Sequence, residues 1–436
     1  MKKEKLEEQM TIEGVEPSNF SCAENVENET EQQTFETETG TQLSCLESEE
    51  LELSKEIVEE KLTEALKTQT PKQKRKSTIV NLLLLLVNIV FMVFIVKSLI
   101  SNIGDADLGE VVKQQGPKLW WLAGGLLIYV VYMFAQFAMY HVLIKDLTDK
   151  KRPKLAYDVA VVGKYYDNVT PFAVGGQPMQ IVSLAKNGIS AGVSTSIPVM
   201  KLMINSIVTT MLILVFFIFG LPRIPHTSAF NDFLLTLLEI LGVVGLIITV
   251  IVTTFMILIS SGNFVTRSFV SKIIKFGCRI KIVKNYRQTL KKTMNQVAEY
   301  RSSMRYLWRK KKLLFKMIAF SMLESLSYAI MPYFVVMAFA GTININPIML
   351  VFICIVQYYI CAMASSFIPL PGGTGLMEIS FIFLFGAGVI NLGDNIVWAL
   401  LAWRFLSYYL ILIHGFTHEL AKIVKGFIKS RRKRET

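Results

Sequence analysis

Phe367-Ile368-Pro369-Leu370-Pro371-Gly372-Gly373-Thr374-Gly375-Leu376-Met377-Glu378-Ile379 lies between two long apolar runs, where lipid demands unbroken helix. Prolines and glycines packed this densely interrupt a helix and free backbone N–H and C=O groups. In hydrocarbon those groups need protein partners or a wet cavity. Glu378 adds a carboxylate just after the break, at a depth where charge is costly. The combination points to a polar site inside the membrane. A similar break occurs earlier, from Pro171 to Ile181.

Composition agrees with membrane residence. The 436 residues are 52% hydrophobic, with a mean hydropathy of +0.44, which describes a polytopic all-α membrane protein rather than a soluble globule. Charge is unevenly divided. Residues 1–60 hold 18 Glu and 4 Lys, while the whole chain is +12. Residues 1–77 are polar, with almost no aromatics, and read as a disordered acidic cytoplasmic tail. Only Glu50 to Lys67 has the spacing of a short amphipathic helix. The five cysteines have no paired spacing, and Cys354 and Cys361 read as buried thiols.

Hydropathy places apolar spans near 79–99, 119–144, 194–220, 234–260, 313–340, 347–368 and 396–414, within a membrane domain of 78–420. Loops at Lys72–Lys76, Lys150–Lys154 and Arg267–Lys312 are basic, as is the tail 421–436. Lys and Arg favour the cytoplasmic side. Counting the shorter run 375–390 as a crossing gives eight helices, with every basic loop and both termini inside. Residues 155–187 then start and end on the cytoplasmic side. They read as a re-entrant hairpin, or alternatively as a pair of surface helices.

The two breaks align without gaps at an offset of 198. Pro171 then matches Pro369, Gly175 matches Gly373, and Gln180 matches Glu378. A two-fold internal repeat would produce this, and so would the clustering of Gly and Pro wherever helices break. Transporters built from two related halves place their substrate site where interrupted helices meet, and free helix N-termini there favour anions such as phosphate.

Pro369-Leu370-Pro371-Gly372-Gly373-Thr374-Gly375-Leu376-Met377-Glu378 resembles the flippase-like transmembrane domain of bacterial lysylphosphatidylglycerol synthases. So does the upstream run Tyr165 to Pro171 with Gly175, Gly176 and Gln177. The resemblance spans roughly 78–420 and implies a bacterial plasma-membrane protein that translocates a phosphate-bearing lipid. The chain ends at Thr436 without the aminoacyl-transferase domain of the bifunctional enzymes, so synthase activity is not carried over. Rival readings are a secondary transporter of a small polar solute, and an accessory subunit or enzyme of lipid-linked sugar metabolism.

The candidate substrate-binding residues follow from depth and chemistry. Glu378 and Arg404, on neighbouring antiparallel helices, fall within about 6 Å of each other in depth. They read either as a structural ion pair or as a phosphate-binding Arg held by a carboxylate, since the guanidinium fork suits phosphate. Glu324, near the midplane, reads as a proton-coupling group or as the partner of Lys201 or Arg404. Lys201 shares a helix face with Asn205, or snorkels to the inner interface. Asp167, Asn168, Gln177 and Gln180 surround the first break, as headgroup contacts or as caps for freed backbone groups. Gly372, Gly373 and Gly375, with Pro171, Gly175 and Gly176, shape the two breaks. Gln357, Tyr358 and Tyr359 are candidates for the same cavity.

His414 and His418 are i,i+4 with no third ligand in sight, and read as a solvated interfacial face, so no metal is expected. Nucleotide-binding and nucleophile motifs are missing from the sequence, so neither a cofactor nor an enzymatic role is expected. Residues 263–312 hold fifteen Lys or Arg and one acid, Glu299. Between two spans, such a loop suits an anionic inner leaflet rather than nucleic acid. The acidic tail, on the same side, is a candidate competitor for it.

Overall fold

The computed structural model describes Lys97 and residues 118–435, except 221–228, 262–269, 273, 276–277, 279–285, 342–344, 366–370, 387–389 and 391. The acidic segment, the stretch Glu50 to Lys67 and, apart from Lys97, the first apolar span lie outside these residues. No strand occurs among the described residues.

The chain runs α1 (Trp121–Thr148), α2 (Pro153–Val169), α3 (Gly176–Lys186), α4 (Ala191–Gly220) and α5 (Ala229–Ser261). A basic helix α6 (Tyr286–Arg309) follows, then α7 (Lys311–Ala329), α8 (Met331–Phe339) and α9 (Pro347–Ser365). The last elements are α10 (Leu376–Gly386), α11 (Ile396–Arg404) and α12 (Leu410–Glu435). Pro332 marks the α7–α8 joint, where a missing N–H breaks the helical ladder. A π-helical turn, Phe405–Tyr409, joins α11 to α12. Six helical stretches among the described residues are long and apolar enough to cross a membrane, α7–α8 and α11–α12 each counting as one.

Residues 153–186 form a hairpin inserted into the bundle. At its mouth Arg152 Nη1 donates to Asn187 O at 2.9 Å, so both arms open at the same end. The tip, a 3-10 turn at Pro171–Ala173, packs against a second 3-10 turn at Pro371–Gly373. That second turn is itself the tip of a hairpin. Gln357 Nε2 on α9 donates to Leu384 O on α10 at 2.8 Å, and Ser365 lies against Met377. With only 11 residues, α10 is about 16 Å long, half the depth of a bilayer core of about 30 Å. The runs expected at 347–368 and 375–390 are thus two arms of one hairpin. Among the described residues, the basic stretches 150–154 and 310–312 lie at one end, where Lys310 pairs with Asp146.

The two halves run in opposite directions. Lys118, at the start of α1, donates to Ala340 O at the end of α8 at 2.9 Å. Lys310, at the start of α7, pairs with Asp146 at the end of α1 at 3.1 Å. The hydrogen bond that Lys310 donates to the Tyr306 hydroxyl, and then the one to Asp146, raise its pKa above the ordinary value. A crossing helix, a broken hairpin and another crossing helix therefore occur twice with inverted direction, the architecture of many transporters. The conformational register corrects the sequence alignment. Phe172 and Ala173 have φ of 56° and 53°, and Gly372 and Gly373 have 65° and 62°. The halves correspond at an offset of 200, not 198: Pro171 matches Pro371 and Gly175 matches Gly375.

Left-handed backbone costs an L-residue roughly 1–2 kcal/mol, and the first tip carries two such residues without glycine. Glycine gives back roughly 0.5–1 kcal/mol of that gain through chain entropy. Ala173→Gly is therefore expected to stabilise the protein by about 0.5–1 kcal/mol. A thermal-unfolding series in detergent that shows destabilisation instead would contradict this reading of the tip.

Candidate functional site: a polar cavity between two hairpin tips

The tips meet beside a cavity of about 520 Å³, which has both polar and apolar walls. Phe172 and Ala173 from the first tip and Gly372 and Gly373 from the second line it. Lys164, Asp167, Glu324 and Arg404 supply its charge, and Tyr132, Tyr328, Tyr358, Tyr359 and Tyr408 its aromatic walls.

One wall is built on Arg404. It is buried, and its Nε and Nη2 donate to Glu378 Oε1 at 2.6 and 2.5 Å. Nη1 and Nη2 also reach Gly372 O at 3.3 Å, so the guanidinium fastens the second tip to the last helix. Glu378 is fully buried and does not line the cavity. Its other oxygen, Oε2, accepts the Gly375 N–H at 2.6 Å, closing the start of α10. The anion thus sits at a helix N-terminus, where unpaired N–H groups favour it. The pairing expected from depth is present, and its geometry is that of a clasp with most donors engaged.

Tyr408 joins the two tips. Its ring lies where a Cβ on Gly372 would go, and its hydroxyl donates to Asn168 O at 3.1 Å. The π-turn around it is a local departure of a kind often found at functional sites, and Tyr328 donates to Ser407 O within it at 2.7 Å.

The opposite wall carries Glu324, near the middle of the α7–α8 span. Lys201 Nζ lies 3.2 Å from its Oε2, and Gln136 donates to Oε1. Lys201 therefore serves as the structural partner anticipated for Glu324. It is buried beneath Tyr140, 5.6 Å from the ring, rather than at the interface. Lys164 Nζ stands 3.6 Å from Glu324 Oε1.

Around the first tip the polar residues chiefly cap backbone. Asp167 Oδ1 accepts the Gly176 N–H at 3.0 Å, Thr170 Oγ1 accepts Gly175 N–H at 2.9 Å, and Asn168 Nδ2 donates to Lys164 O at 2.8 Å. Gln180 is buried against Gly163, where an added Cβ would overlap its amide, and neither it nor Gln177 lines the cavity. Gln357 is turned to Leu384 O, whereas Tyr358 and Tyr359 face the cavity.

The histidines differ from expectation. His414 bridges Tyr129 and Tyr157, at 2.8 and 2.5 Å, and His418 Nε2 meets Asp158 Oδ1 at 2.8 Å. Lys422 also pairs with Asp158, and Ser183 donates to it at 2.5 Å. These contacts tie the first hairpin to α12. Lys164 was the cavity residue hardest to find in the sequence. Its one signal is a lone cation inside an apolar stretch, three residues before Asp167.

The described residues form a multi-pass membrane domain with two opposed broken hairpins around a charged cavity. The family model described as the lysylphosphatidylglycerol synthase TM region matches residues 79–415, and the chain belongs to that family. Comparison with curated proteins returns no match. The family associates the domain with lipid metabolism or transport.

Proposed function

We propose that the protein translocates a phospholipid across a bacterial plasma membrane, holding the phosphate-bearing headgroup in the cavity while the acyl chains stay in the bilayer. The supporting observation is the meeting of two oppositely inserted hairpin tips beside a cavity with cations on both sides, in a chain of this family. Movement of one half against the other would expose the cavity to each leaflet in turn. Arg404, braced by Glu378, keeps the second tip in place as the cavity opens.

Both termini are cytoplasmic in this reading. The buried face of α6 carries Val297, Met304 and Leu307, while Lys291, Arg305 and Arg309 are exposed. With Trp308 beside them, these basic side chains suit an anionic inner leaflet. Each such contact is worth about 1 kcal/mol near the surface. Replacing Arg305 and Arg309 together with Gln is therefore expected to weaken binding to vesicles rich in anionic lipid about 30-fold at low salt. Equal binding at all lipid compositions would remove this surface from the account.

The function is tested with the pure protein in proteoliposomes containing a fluorescent short-chain phosphatidylglycerol. Dithionite quenching that proceeds past the outer-leaflet fraction, over that of protein-free vesicles, is the expected result. Uptake of a soluble phosphate ester without lipid transfer would favour a solute transporter instead.

A further inference from the structure

The cavity is lined by two cations of unequal freedom. Arg404 spends its donors on Glu378 and Gly372, as described. Lys164 is less committed: its hydrogen bond is to the neutral Tyr132 hydroxyl, its side chain is 22% exposed, against 8% for Lys201, and only Lys164 of the two lines the cavity. Its distance to Glu324 Oε1, 3.6 Å, is beyond hydrogen-bond reach. That oxygen already receives Gln136 and lies 3.4 Å from Lys201 Nζ, with Lys201 also 3.2 Å from Oε2. Glu324 therefore keeps a cation and an amide donor if Lys164 turns away. Asp167, the other carboxylate facing this space, caps the Gly176 N–H through Oδ1 and is a second nearby anion for Lys164. Tyr132, on the adjacent wall, hydrogen-bonds Lys164 through its hydroxyl, a neutral partner that leaves the ammonium free to turn to an anion.

We propose that Lys164 is the exchangeable cation of the cavity, resting on Glu324 when the cavity is empty and moving to a phosphoryl oxygen of the lipid headgroup when it is filled. A flexible stem with three rotatable donors suits a group that must change partners, whereas the guanidinium fork of Arg404 suits a fixed clasp. Lys164 is thus a substrate-binding and specificity-determining residue, and Lys201 and Gln136 are positioning residues that keep Glu324 satisfied. The inference rests on the phospholipid reading, since it assigns the group that contacts the phosphate.

The test is equilibrium binding in detergent of a fluorescent short-chain phosphatidylglycerol, the matched diacylglycerol that lacks phosphate, and inorganic phosphate. Wild type is expected to bind phosphatidylglycerol more tightly than diacylglycerol. Lys164→Gln is expected to weaken phosphatidylglycerol binding about 10- to 100-fold, the usual worth of a charged hydrogen bond. It should leave diacylglycerol binding unchanged, and Lys164→Arg should restore most of the difference. Equal phosphatidylglycerol affinity in wild type and Lys164→Gln overturns the role of Lys164 while leaving translocation standing. Wild type that binds inorganic phosphate and neither lipid overturns the phospholipid reading itself. Should Lys164→Gln not fold, reductive methylation of wild type read by mass spectrometry decides the matter. Phosphatidylglycerol, but not diacylglycerol, must protect the Lys164 amine, and equal modification with either lipid overturns the proposal.

Discussion

Arg404→Ala is expected to destabilise the protein by about 3–5 kcal/mol and to abolish translocation, because it strands the Glu378 carboxylate in a dry interior. Arg404 is 2% exposed and Glu378 is fully buried, so each charge depends chiefly on the other for its partner. The loss is larger than that of one ion pair, since Arg404 also holds Gly372 O and Glu378 also holds Gly375 N–H. Glu378→Ala should be comparably harmful, leaving an unpaired guanidinium and an uncapped α10. The double variant should be less damaged than the sum of the singles, by a coupling energy of roughly 1–3 kcal/mol. Thermal unfolding in detergent for all four proteins measures this. Strict additivity would show that the two side chains do not act as a unit.

Gly372→Ala should have the second largest effect. At φ of 65° an L-residue pays roughly 1–2 kcal/mol. The added Cβ would also overlap the Tyr408 ring, and overpacking of this kind costs typically about 1–3 kcal/mol. The total, about 2–5 kcal/mol, falls on the joint between the tips. Tyr408→Phe removes only the hydrogen bond to Asn168 O and should cost about 0.5–1.5 kcal/mol. Translocation should fall much further in Gly372→Ala than in Tyr408→Phe. Equal rates in the two variants would mean that the close approach of tip and ring is incidental.

Much of this arrangement was legible in the chain because lipid is an unforgiving solvent. Pro371, Gly372 and Gly373 in an apolar run announce a helix break, and Glu378 and Arg404 at matching depths announce a pair. What was less legible has particular causes. The repeat offset was misread by two residues because an offset of 198 adds letter matches or near-matches beyond the tip, Met179 with Met377, Gln180 with Glu378 and Ile181 with Ile379. The shared feature is backbone conformation, and Phe172 and Ala173 take up the left-handed shape that glycine adopts in the other half. The run 375–390, though short, reads as a crossing because keeping the basic tail inside calls for an eighth one, whereas α10 is an 11-residue arm of a hairpin with α9. His414 and His418 read as an interfacial face because their partners, Tyr129, Tyr157 and Asp158, lie more than 250 residues away. Lys164 was hidden for the same reason, its function depending on a carboxylate of α7.

The most direct test of the central claim places single cysteines at Ala173 and at Ser365, one beside each tip, in a chain whose five native cysteines are replaced. Reconstituted in vesicles, each is treated with a small charged thiosulfonate, with and without excess short-chain phosphatidylglycerol. Two tips sharing one hydrated headgroup site predict that both positions react and that the lipid protects both. Failure of either position to react, or protection of one without the other, would contradict it.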